Sequence, residues 1–97
     1  MTDVRKGFER DLAKVCWREL RVHLQRDAIV TVDPDLDLIT AATAVAEDDR
    51  EQVAGWIADQ LLGKPTAFQL QQWEETLDRE FFMLIVQPYI LIQEATD

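Results

Sequence analysis

A C-terminal run of apolar residues constrains the fold of this 97-residue chain more than any other feature. It spans residues 81–93 and reads FFMLIVQPYILIQ. Its phenylalanine, isoleucine, valine and tyrosine content favours a β-strand over a helix. Fully extended, the run would reach about 43 Å at roughly 3.3 Å per residue, whereas a globule of this size is only about 33 Å across. The strand therefore has to bend or to protrude.

Pro88 is the natural place for the bend, because proline lacks the N–H that a strand ladder requires. We expect a kink or bulge at Gln87, Pro88 and Tyr89. The alternative is a tight turn with a cis Gln87–Pro88 bond, which would make a local hairpin. In the kinked strand neither face is polar, so both faces need a cover. The two alternating sets are Phe82, Leu84, Val86, Ile90 and Ile92 on one face and Phe81, Met83, Ile85, Tyr89 and Leu91 on the other.

Helical spacing of apolar residues predicts the elements that cover this strand. A first amphipathic helix is expected over residues 3–15 and a shorter one over 17–25, with a break near Cys16 and Trp17. A third helix over 50–62 would end at Gly63, and a fourth would start at Thr66 with a capping box. Their expected inward faces are Val4, Phe8, Leu12 and Val15; Trp17, Leu20 and Leu24; Val53, Trp56, Ile57 and Leu61; and Phe68, Leu70, Trp73 and Leu77.

Two central segments complete the predicted fold. Residues 28–32 are rich in β-branched side chains and predict a short strand that pairs with the C-terminal one. For residues 36–46 we expect an alanine-rich helix, capped by Asp33 with Pro34 at its first position; the alternative is a third strand. The sequence thus predicts an α+β fold in which four to five amphipathic helices pack on a small antiparallel sheet, with strands at about 28–32 and 81–93. We expect one domain over residues 1–97, with 94–97 frayed.

The charge distribution bears on the class of partner. The net charge of −9 argues against general binding of nucleic acid or of anionic membranes, which require cationic surfaces. Residues 1–26 hold seven basic and four acidic side chains, whereas the rest of the chain holds three basic and fifteen acidic ones. We therefore expect a basic helix that rests on an acidic body. A single cysteine and the charged N-terminal residues predict a cytoplasmic protein with no membrane association.

The sequence offers little catalytic chemistry. It contains no serine and no asparagine, which excludes a serine triad. Cys16 and His23 would lie about 10.5 Å apart along one helix, too far for a nucleophile and its base, which need about 3 Å. We therefore predict no catalytic residue, no cofactor and no metal ligand. Two groups of acidic residues are interpreted as helix-capping residues rather than as ligands of calcium or another metal. They are Asp33, Asp35 and Asp37, and Glu47, Asp48, Asp49 and Glu51.

Several short segments together resemble a family of small acidic bacterial proteins known only as a domain of unknown function. The segments are Trp17-Arg18-Glu19-Leu20, Leu36-Asp37-Leu38, Ala46-Glu47-Asp48-Asp49, Trp56-Ile57, Lys64-Pro65-Thr66 and Ile85-Val86-Gln87-Pro88-Tyr89. The last is the most distinctive, and the resemblance covers nearly the whole chain. The chain departs from the pattern at Val22, where the family often has a proline before the histidine. The resemblance implies a bacterial cytoplasmic protein and assigns no activity or catalytic residue.

Three hypotheses for function follow. The first is a small non-catalytic protein that binds another protein or itself, with Gln87, Pro88 and Tyr89 as the partner-binding residues. The second is an acidic regulator or nucleic-acid mimic that competes for a basic surface. The third is a carboxylate-based metal protein or enzyme. Salt dependence of binding separates the first two hypotheses, and titration with divalent cations tests the third.

Overall fold

The computed structural model describes residues 4–95, and its centre is a five-stranded mixed sheet with the strand order β1-β4-β5-β2-β3. Along the chain the elements are α1 (Val4–Asp11), β1 (Ala13–Cys16), α2 (Trp17–Leu20), a 3-10 helix (Arg21–Arg26), β2 (Ile29–Val32), α3 (Leu38–Ala46), α4 (Arg50–Ala58), β3 (Leu62–Gly63), α5 (Ala67–Glu75), β4 (Glu80–Val86) and β5 (Tyr89–Glu94). This confirms the predicted α+β class, and it confirms a helix rather than a strand in the segment 36–46, where residues 38–46 are helical.

The C-terminal apolar segment forms a hairpin rather than one kinked strand. Strands β4 and β5 pair antiparallel, Val86 lies opposite Tyr89, and the Gln87–Pro88 peptide bond between them is cis. The alternative predicted from the sequence is therefore correct, and the single strand over 81–93 is wrong. Because paired residues share a face, the two-residue turn exchanges the faces assigned to the second half of the segment.

Both faces of the hairpin are covered by the chain's own helices, as its composition requires. On one face, Leu84, Val86 and Leu91 pack with Leu38 and other side chains of α3. Partly buried side chains of α1 and α4 pack against the edge of this cluster. The opposite face forms a second cluster around three aromatic rings: Trp17 from α2, Trp73 from α5 and Phe81 from β4. The sheet is thus the middle layer between two helical layers.

The sheet is larger than predicted, and it is not wholly antiparallel. Strand β2 pairs with β5 as expected, but the two run parallel, because the chain crosses over through three helices before it returns as the hairpin. Residues 13–16 form an edge strand along β4 instead of ending a helix over 3–15. Helix α2 then begins where the backbone N–H groups of Trp17 and Arg18 donate to the carbonyls of Arg79 and Leu77, at 2.9 and 3.0 Å.

Two helix boundaries also differ from the sequence prediction. Helix α3 begins four residues after the predicted position, with Asp37 as its N-cap, while Asp33 accepts from the N–H of Asp35 in a turn. Helix α4 ends at Ala58 because Gln60 adopts a left-handed backbone (φ 63°) and its N–H donates to Ile57. Gly63, expected just past this helix, lies in the edge strand β3.

The inward faces of the last two helices are less buried than their spacing predicts. Helix α4 contributes no fully buried residue: Trp56 is half-buried and Ile57 is 53% exposed. On α5, Trp73 is buried as expected, but Phe68 is 68% exposed. Helix α4 packs mainly on α3 and β3 rather than on the sheet centre, so its apolar side is only partly covered.

The two ends of the described chain complete the comparison with the sequence. Of the residues expected to be frayed, Glu94 belongs to β5 and accepts a hydrogen bond from the Trp73 indole, whereas residues 96 and 97 lie outside the described range. Across residues 4–95, no helix combines the length and the apolar character needed to cross a membrane.

Candidate functional site

The predicted partner-binding residues lie at the tip of the hairpin and are all exposed. Gln87 and Pro88 form the turn, and Tyr89 begins β5 with 42% of its surface accessible. Because Val86 and Tyr89 are directly paired, the Tyr89 side chain points to the same side of the sheet as helices α3 and α4. The tip is thus continuous with the space between the sheet and α4.

That space is an open groove of about 360 Å³, which we call the hairpin groove. Helix α4 forms one wall and strands β2, β3 and β5 form the other. Its apolar lining is Val30, Val45, Val53, Ile57, Leu62, Tyr89 and Leu91, and its polar rim is Asp48, Asp49, Arg50, Gly63 and Lys64. The volume is within the range of about 300–1,000 Å³ that is usual for ligand pockets in proteins.

The backbone at the ends of α3 and α4 holds the groove open. Helix α3 stops because Asp48 adopts a left-handed conformation (φ 56°), and the N–H of Asp49 closes the turn on the carbonyl of Ala44 at 2.9 Å. The Asp49 carboxylate then caps α4 by accepting from the N–H of Gln52. Helix α4 therefore packs on α3 and on the short edge strand β3 rather than on the centre of the sheet.

The cations on the rim of the hairpin groove are already paired. The Nε of Arg50 lies 3.3 Å from Oδ2 of Asp48, and the Lys64 ammonium bonds the Asp27 carboxylate. The carboxylate of Asp49 has no cationic partner among residues 4–95. The rim is consequently acidic in its uncompensated charge.

A larger cavity of about 560 Å³ lies on the other side of β3 and is a weaker candidate. Its half-buried acid, Glu94, already accepts from the Trp73 indole at 2.9 Å and from Arg79 at 3.5 Å. The Thr31 hydroxyl donates to the Gly63 carbonyl across the strand pair. Since these polar groups bond to one another, the cavity presents few free groups to a ligand.

The residues considered for catalysis or metal binding are placed apart. The Cys16 thiol lies 3.8 Å from Glu19, whereas the His23 ring contacts Arg26, so the two do not form a dyad. In the described part of the chain, no three histidine, cysteine, aspartate or glutamate side chains come together in a way that could hold a metal ion.

The Asp37 carboxylate at the start of α3 is stabilised in its ionised form. The backbone N–H of Thr40, then its hydroxyl, and to a smaller extent Arg5 stabilise the carboxylate, so the pKa of Asp37 lies below its ordinary value of 3.8. This is the signature of a helix N-cap. Asp37 thus serves as the cap of α3.

The basic N-terminal segment lies against the acidic body, as the charge distribution predicts. Ion pairs join α1, β1 and α2 with its 3-10 extension to α3, β4 and the end of α5. They are Arg5–Asp37, Lys14–Glu80, Arg18–Asp78 and Arg21–Glu74, with separations of 3.0 to 3.7 Å. The cations of this segment are therefore largely used within the fold.

The sequence prediction missed the part of the site that α4 contributes. Ile57 and Val53 were expected to be core residues, because their spacing matches a buried helix face. Helical spacing places Glu51 and Gly55 on the opposite side of α4, so no local signal in the sequence marked Ile57 as exposed.

Comparison with known protein families identifies the family of this chain. A family model described as "Protein of unknown function (DUF2288)" matches residues 3–94. The chain belongs to this family. The resemblance inferred from the sequence is confirmed, and the description of DUF2288 assigns no activity.

A solved structure shares both the fold and detectable sequence similarity with this DUF2288 member. It is the NMR solution structure of PA1075 from Pseudomonas aeruginosa, which is 32% identical. The match covers 100% of this chain and 90% of that chain, with a TM-score of 0.82. A search of curated proteins found no match.

Proposed function

We propose that this DUF2288 protein is a non-catalytic binding module that holds an apolar side chain of a protein partner in the hairpin groove. The observation that carries the proposal is the position of two exposed apolar residues. Ile57, at 53% exposure, and Tyr89, at 42%, stand on opposite walls of the same groove. Exposed apolar surface concentrated in a concave site is typical of protein recognition.

The energetics favour an anchor side chain rather than a broad flat contact. Burying one leucine, valine or phenylalanine side chain stabilises a complex by about 1.5–3 kcal/mol before association costs. The exposed turn at Gln87 and Pro88 extends the surface beyond the groove. An anchored segment of several residues is therefore the occupant that fits this geometry.

The other two hypotheses have less support. An acidic regulator needs free carboxylates, but the basic N-terminal segment forms ion pairs with part of the acidic body. A net negative surface nevertheless remains around α4. Among the carboxylates that a metal site would need, Asp37 and Asp49 serve as helix caps. Cytoplasmic location, predicted from the composition, stays part of the proposal and would be tested by cell fractionation.

The test is selection of binding peptides from a random display library on the immobilised full chain. Enriched peptides should bind at least about tenfold more weakly to Tyr89→Ala and to Ile57→Ala, because truncating a central anchor contact typically removes 1–2 kcal/mol or more. The matched control is Phe68→Ala, which removes an apolar side chain of 68% exposure that does not line the groove.

Two results would contradict the proposal. One is a library that yields no enriched peptide, or peptides that bind both groove variants as tightly as wild type. The other is a concentration-dependent dimer that excludes peptide and dissociates with Tyr89→Ala, which would give the groove to a second copy of this chain. Sedimentation at several concentrations distinguishes that case.

A further inference from the structure

The outer side of α4 carries an acidic depression that adjoins the hairpin groove. It is about 400 Å³ in volume and is lined by Asp49, Glu51, Gln52, Gly55, Trp56 and Asp59. Asp49 belongs to both surfaces, so the two meet at the N-terminal end of α4. A segment anchored in the groove can therefore continue across this end of the helix into the depression.

The charge of the depression is not compensated within the fold. In the described part of the chain, Asp49, Glu51 and Asp59 form no ion pair, although elsewhere basic residues reach acidic ones across the fold. Asp59 caps the C-terminal end of α4, where the helix dipole disfavours a carboxylate. Asp59 therefore does not stabilise the C-terminal end of α4.

The half-buried Trp56 ring adds a second feature that favours a cation. An indole face next to carboxylates attracts guanidinium or ammonium groups through the ring quadrupole as well as through charge. No described cation lines the depression, and the two cations on the rim of the adjoining hairpin groove, Arg50 and Lys64, are held by Asp48 and Asp27. The surface thus lacks a cation of its own at the position where its chemistry favours one.

We infer that the hairpin groove and the acidic depression form one surface that binds a segment carrying an apolar side chain next to arginine or lysine. This inference rests on the proposed function and specifies its partner. The apolar side chain occupies the groove between Ile57 and Tyr89, and the cationic side chain lies over Trp56 between Glu51 and Asp59. A protein partner with a basic, partly apolar tail or loop has this chemistry, whereas an acidic segment is repelled.

The test uses three synthetic nonapeptides with the same central leucine pair and with flanking residues of arginine, glutamine or glutamate. The arginine peptide should bind about five- to tenfold more tightly than the glutamine peptide, since two exposed ion pairs each contribute modestly. This advantage should fall markedly between about 50 mM and about 500 mM salt, because the screening length shortens to roughly the separation of exposed paired charges.

Two variants assign the effect to the depression. The double variant Glu51→Gln with Asp59→Asn should remove the preference for arginine and leave the affinity for the glutamine peptide unchanged. Glu75→Gln, an exposed acid of α5 that does not line the surface, is the control and should leave the preference intact.

The outcomes separate this inference from the proposed function. If all three peptides bind equally and lose affinity with Tyr89→Ala, the groove binds its apolar anchor and the inferred charge preference is wrong. If the preference survives in the Glu51 and Asp59 double variant, the cation binds elsewhere and the inference is also wrong. If no peptide responds to Tyr89→Ala, the proposed function itself fails.

Discussion

Replacing Trp73 by phenylalanine is expected to destabilise the protein by about 3 kcal/mol. Trp73 is 1% exposed, and its indole N–H donates to the Glu94 carboxylate at 2.9 Å. A hydrogen bond to a charged group contributes about 1.5–3 kcal/mol, and the void left by the smaller ring adds a cavity cost of about 1 kcal/mol. The ring also contacts Trp17 and Phe81, with centroids 4.9 and 5.0 Å away.

Trp17→Phe is the matched control for the hydrogen bond. Trp17 is 0% exposed and loses the same atoms, but its indole nitrogen has no hydrogen-bond partner among residues 4–95. Removing a buried unpaired N–H relieves a desolvation cost of about 1–3 kcal/mol, which offsets part of the cavity. Trp17→Phe should therefore be at least about 1 kcal/mol less destabilising than Trp73→Phe.

Urea unfolding followed by circular dichroism measures both variants. For a domain of this size, about 3 kcal/mol corresponds to a fall in Tm of roughly 12 to 24 °C. Equal losses for the two variants would show that the contact between Trp73 and Glu94 adds nothing to stability. A loss below about 1 kcal/mol for Trp73→Phe would contradict the placement of α5 on the aromatic cluster.

The remaining predictions concern helix caps and α4. Asp37→Ala should cost about 1 kcal/mol in unfolding free energy, whereas Asp37→Asn should retain the cap. Because folding lowers the pKa of Asp37, its ionic contribution to stability is complete above pH 3.8 and is lost as the pH falls through the lower folded value. The difference in unfolding free energy between wild type and Asp37→Asn should therefore shrink in that range. A difference that grows would refute the assignment. Thr66→Ala should cost about 1 kcal/mol, since Thr66 and Gln69 form a reciprocal capping box, and an unchanged midpoint in urea would argue against that box. Trp56→Ala should cost about 1–2 kcal/mol, less than the 3–5 typical of a fully buried tryptophan, because Trp56 is half-exposed; a loss above that range would mean that α4 is packed more tightly than described.

Features with a local physical cause were predictable from the sequence. The capping box at Thr66 and the helix over residues 38–46 depend on neighbouring residues and alanine content, and both are present. The hairpin was predicted only as an alternative, because proline in an apolar run signals a bend or a turn with equal force. The buried positions of Trp17 and Trp73 followed from helical spacing.

Features that depend on distant partners were not predictable. Residues 13–16 continue the apolar period of α1, yet they pair with β4, about seventy residues later, because its edge backbone needs a partner. The exposure of Ile57 depends on where α3 ends and how far α4 stands from the sheet. Among the site residues, the exposed Gln87, Pro88 and Tyr89 were predicted from the proline, whereas the opposing wall of the groove was not.

An NMR titration of the isotope-labelled protein with an enriched peptide tests whether the hairpin groove is the binding site. If the groove holds the peptide, the shifted amide resonances should cluster among the residues that line it, at Val30, Val45, Val53, Ile57 and Tyr89. Shifts that cluster instead on α5 around Phe68, or that spread evenly over the surface, would contradict it.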